Sequence, residues 1–92
     1  MQFKSGLAQY ISQFASGVRS GTPSAAYSMY LRKIAESLME MQEGASRSEA
    51  LRRLNQIDRY QDIYIQDLKG SQEGIAKEID ALATYVESIE GD

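Results

Sequence analysis

Residues 22–44 read TPSAAYSMYLRKIAESLMEMQEG, and the reading of this stretch decides the fold. Tyr27, Leu31, Ile34, Leu38 and Met41 recur at steps of four, three, four and three. That spacing draws one apolar stripe along an α-helix and has no counterpart in the period-two pattern of a strand. Thr22 followed by Pro23 is a start signal: a hydroxyl can cap free N–H groups, and proline is pre-set for the first helical position. Gly44 is a stop signal. The stretch therefore predicts a helix over about 23–43.

The same rhythm extends in both directions. Upstream, Phe3, Leu7, Tyr10 and Phe14 step by four, three and four, with Ile11 widening the stripe. This predicts a helix over about 2–16, with Gly17 as its exit and Val18 folding back on the last turn. Downstream, Ser46 and Glu49 have the spacing of a capping box. Ala50, Leu54, Ile57, Gln61, Tyr64 and Leu68 then mark a helix over about 47–69, closed by Gly70. Ser71 caps the last helix, about 72–89, whose stripe is Ile75, Ile79, Leu82, Val86 and Ile89. The fold class follows: all-α, one domain over residues 1–92, a small four-helix bundle or paired helical hairpins joined by short Gly/Ser turns.

Composition narrows the function. There is no cysteine and no histidine, which removes disulfides, thiolate zinc sites, cysteine nucleophiles and the commonest general base. No carboxylate pair has the spacing of a calcium loop or a helical metal motif. An enzyme is not expected, nor a cofactor or metal. No apolar run approaches the ~20 residues of a membrane span, and the N-terminal stretch lacks the continuous apolar centre of a secretory signal. A cytoplasmic location is the expectation.

Charge is uneven. Residues 1–18 carry +1, residues 19–60 carry +2 and residues 61–92 carry −6, for a net −3. An acidic balance disfavours nucleic acid, whose affinity comes from neutralising phosphates. The spacing of Ser24, Tyr27 and Leu31 resembles two turns of the helical arm domain of tyrosine recombinases, without the basic surface that domain uses.

Two surfaces stand out against this background. Tyr60, Ile63 and Tyr64 surround the third helix with apolar groups, and Met29 and Met39 add adaptable apolar surface to the second. These five residues are the candidate interface of an interaction module that self-associates and binds a protein partner, in the manner of an inhibitor or adaptor. Gln61 falls at a stripe position, either as a buried amide that sets register or turned outward. The alternative function is capture of a small anion such as a nucleotide by Tyr30, Lys33, Arg52 and Arg59, once an oligomer brings them together. Tyr30 and Lys33 are equally the ordinary boundary of an amphipathic helix, and the arginines ordinary surface pairs.

Overall fold

The computed structural model describes the backbone of residues 2–21, 24–60 and 68–90, and the side chains of 6–21, 25–60 and 72–89. The described chain is four helices: α1 (Gln2–Arg19), α2 (Ser24–Met39), α3 (Ala45–Arg59) and α4 (Leu68–Glu90). They pack in a ring, α1 on α2, α2 on α3, α3 on α4 and α4 back on α1, and among the described residues the two diagonal pairs make no close contact. Neighbours run antiparallel. Arg19 at the end of α1 reaches Glu73 near the start of α4, and Tyr27 early in α2 reaches Ile57 late in α3. The expected all-α bundle is thus a single up-down-up-down unit of about 37 × 21 × 19 Å.

The core follows the stripes, with Leu7, Tyr10 and Met41 only partly buried at its edge. Ile11, Phe14 and Val18 of α1, Tyr27, Leu31, Ile34 and Leu38 of α2, Ala50, Leu54 and Ile57 of α3, and Ile75, Ile79, Leu82 and Val86 of α4 are buried together. The sides of the ring differ in character. Between α1 and α4 the residues are small: Ala8 and Ala15 on one helix and Ala76 and Ala83 on the other, each pair seven apart and all buried. Seven residues is two turns, so each pair forms a narrow ridge that lets two backbones approach closely. These two helices accordingly make the most intimate packing of the ring. Between α1 and α2 the residues are aromatic. Tyr30 stacks on Phe14 at 4.8 Å and 8°, leans on Tyr10 at 5.0 Å, and Phe14 meets Tyr27 edge-on at 5.0 Å. Such rings hold the helices apart as they bind them.

Helix ends depart from the glycine punctuation. Gly17 is helical, because Val18 continues the buried stripe and Arg19 is tied to α4. The exit is Gly21 instead, at φ +91°, a left-handed conformation that suits glycine. α2 stops at Met39 rather than 43. Glu40 and Met41 then donate to Ser37 and Leu38, three residues back, so the end tightens. Ser46 does not cap α3: the N-cap is Gly44, without a side-chain hydrogen bond. The connection is stitched by Arg47, which donates to the carbonyls of Met39 at 3.3 Å and Met41 at 3.5 Å. α3 ends at Arg59 with Tyr60 as C-cap, and Ile63, Tyr64 and Gln61 lie outside the described residues. Gly70 and Ser71 are neither stop nor cap, since α4 already runs from Leu68 through both. A helical glycine costs only about 1 kcal/mol, and the packing of α4 on two neighbours outweighs it. No helix among the described residues is long and apolar enough to cross a membrane.

Candidate functional site

The outer face of α2 carries the candidate interface. Helical geometry places Tyr27, Leu31, Ile34 and Leu38 on one side, turned to the core, and Met29, Arg32, Glu36 and Met39 roughly 150° around from them. All four outer residues are exposed. Met29 keeps 59% and Met39 54% of its surface open, and they are the large exposed hydrophobics among the described residues. About ten residues of helix separate them, or ~15 Å along the axis. Tyr60, the third interface candidate, is half-buried and packs against the core at the end of α3.

The anion-binding candidates have separate duties. The Tyr30 ring is taken up by Tyr10 and Phe14 in the α1–α2 seam, which leaves little of it as a stacking platform. Arg52 forks onto Glu49 within α3, at 3.0 Å from Nε and 2.7 Å from Nη2. That bond raises the Arg52 pKa and holds the Glu49 carboxyl below its ordinary value. Arg59 is exposed in the last turn of α3. Lys33 is exposed and borders a cavity of about 360 Å³ between α1 and α2, lined by Gly6, Leu7, Tyr10, Lys33, Ser37, Glu40 and Met41. The cavity arises where the aromatic seam ends and Gly6 offers no side chain; a Cβ there would meet nothing within 4 Å. Burial, and secondarily the neighbouring Tyr30 phenol, pushes the Tyr10 pKa up.

Two further clusters went unrecognised in the sequence. Arg19 forks onto Glu73, with Nε at 3.0 Å and Nη2 at 3.2 Å, and also reaches Asp80 at 3.0 Å. It ties the end of α1 to the N-terminal half of α4, and the hydrogen bond holds Glu73 below its ordinary pKa. The signal available beforehand was the seven-residue spacing of Glu73 and Asp80, which puts both on one face. Arg53 lies over the Tyr85 ring at 5.0 Å, a cation–π contact between α3 and α4. Its Nε is 3.0 Å from Glu49, an ion-pair distance, but not aligned as a hydrogen bond. No three carboxylates converge as metal ligands among the described residues. No protein-family model, curated protein or solved structure matches the chain.

Proposed function

We propose that the protein is a non-enzymatic helical interaction module that associates with itself and, as an assembly, engages a protein partner in the manner of an adaptor or inhibitor. The observation that supports this reading is the exposure of Met29 and Met39 on the side of α2 opposite its core stripe. Flexible thioethers on an otherwise polar face suit contact with another apolar surface. A contact along one four-turn helix buries on the order of 800 Å² in total, below the ~1,200 Å² of stable complexes. Association is therefore weak and concentration-dependent.

Sedimentation equilibrium from about 10 µM to about 500 µM tests it, a range set by the small area. The average mass rises with concentration for the wild type. It stays at the 10.3 kDa monomer for a Met29→Lys, Met39→Lys double variant that retains the wild-type circular dichroism. A wild type that remains monomeric at every concentration removes the self-association.

One observation favours a second reading, the capture of a small amphipathic anion. Lys33 stands at the mouth of an apolar-lined cavity of about 360 Å³, within the size range of small-molecule sites. An anion head on Lys33 and an apolar body against Leu7, Tyr10 and Met41 is the arrangement it offers. A ligand at 100 times its dissociation constant stabilises the fold by about 2.7 kcal/mol, so a thermal-shift panel of nucleotides and aromatic or aliphatic carboxylates reads it directly. No shift from any of them, or a shift that survives Lys33→Ala unchanged, counts against it.

A further inference from the structure

The outer face of α2 has an internal symmetry. Met29 and Met39 lie five positions either side of Ile34, and Arg32 and Glu36 lie two positions either side. The steps from Met29 to Arg32, Glu36 and Met39 are three, four and three, the spacing of a two-helix seam. All four are exposed, within roughly 80° of arc. The two charges are also unspent. Arg19, Arg47, Arg52 and Arg53 all take ion-pair partners, whereas neither Arg32 nor Glu36 does among the described residues. Within the helix Arg32 precedes Glu36 by four, the weaker order for an intrahelical pair.

A second copy of α2 laid antiparallel across the first, with a twofold axis at the level of Ile34, satisfies every one of these groups. Met29 meets the second copy's Met39, and Met39 meets its Met29. Arg32 meets the second copy's Glu36, and Glu36 its Arg32. A parallel arrangement in the same register sets Arg32 against Arg32 and Glu36 against Glu36, which like-charge repulsion opposes. Charge pattern and apolar pattern thus select one orientation and one register.

We propose that this face is a homodimer seam: two copies pair α2 to α2, antiparallel about Ile34, with methionine contacts flanking two reciprocal Arg32–Glu36 ion pairs. Such a contact is self-complementary, as a twofold interface requires. The proposal rests on the self-association reading above and adds its surface, orientation and register.

The test uses Arg32→Glu and Glu36→Arg as separate full-length variants, each checked for a wild-type-like melt. Alone, each variant faces only like charges across the axis and loses at least about tenfold in dimer affinity by sedimentation. Mixed in equal amounts, the two variants present opposite charges to each other, and the heterodimer returns to within about threefold of wild-type affinity. The double variant carrying both reversals in one chain recovers in the same way. A wild-type dimer that neither reversal weakens overturns the seam and leaves self-association standing at another surface. Variants that lose the dimer but do not recover on mixing overturn the register. A wild type that is monomeric throughout overturns both, and leaves the methionines to a partner other than this chain.

Discussion

Tyr27→Phe removes one buried hydroxyl. Tyr27 is wholly buried, and its hydroxyl donates to the Ile57 carbonyl at 2.9 Å. The change keeps the ring, and with it the edge-on contact to Phe14. The Ile57 carbonyl is not orphaned, because the Tyr60 N–H also donates to it, at 3.0 Å. The cost is then the net worth of a hydrogen bond, about 1 kcal/mol, rather than the larger penalty of a buried unsatisfied group. A chain of 92 residues unfolds with an entropy near 0.19 kcal/mol/K, so Tm falls by about 5 °C. Tyr27→Ala removes the ring as well and costs about 3–5 kcal/mol, at least about a fifth of the ~5–14 kcal/mol expected of a domain this size. Thermal melts by circular dichroism, with urea titrations to check that the m-value is constant, measure both. An unchanged or raised Tm in Tyr27→Phe refutes the hydroxyl–carbonyl bond. A loss above about 3 kcal/mol refutes the assignment of about 1 kcal/mol to this hydroxyl.

Three other perturbations test other parts of the fold. Gly6→Ala and Gly74→Ala each place a Cβ where nothing lies within 4 Å, so each raises stability by about 0.5–1 kcal/mol in urea titration through helix propensity alone; a decrease indicates a backbone these positions need. Ala15→Leu forces a large side chain into the fully buried α1–α4 seam and costs about 1–3 kcal/mol, whereas the same change at exposed Ala25 is within about 0.5 kcal/mol; equal effects at the two sites contradict the close approach of α1 and α4. Acid weakens the Glu73 and Glu49 contacts: hydrogen bonds from Arg19 and Arg52 hold these carboxyls below the ordinary 4.5, so the unfolded chain binds more protons as pH falls. Their contribution is complete above about pH 4.5 and is lost as pH drops through the folded values. The Tm gap between wild type and Glu73→Gln therefore narrows from pH 6 to pH 3, and a gap that does not change with pH contradicts the assignment.

Stripes were legible in the sequence and ends were not. A stripe such as Tyr27, Leu31, Ile34 and Leu38 is a repeated signal, and burial of all four confirms one face. An end rests on one or two residues. Gly17 and Gly70 look like punctuation, yet both are helical. Their small backbone cost is outweighed by packing that only the three-dimensional arrangement reveals. Gly21 escaped notice because its left-handed turn depends on how far α1 extends. The alanine seam escaped for a related reason. Alanine registers weakly as hydrophobic, and the partners of Ala8 and Ala15 lie on the last helix of the ring. At the candidate site the exposure of Met29 and Met39 was readable from their offset to the stripe. The commitment of Tyr30 to Tyr10 and Phe14, and of Arg52 to Glu49, needed coordinates.

The alanine seam carries a consequence for biosynthesis. Ala15 waits for a surface whose first residue, Ala76, leaves the ribosome some 61 positions later. At ~5–20 residues per second this is a delay of about 3–12 s. During that interval the nascent α1 displays an apolar flank that α4 has yet to cover. Maturation is therefore a late, closing event, and a ribosome stalled before α4 emerges presents a chain whose first helix still lacks its principal mate.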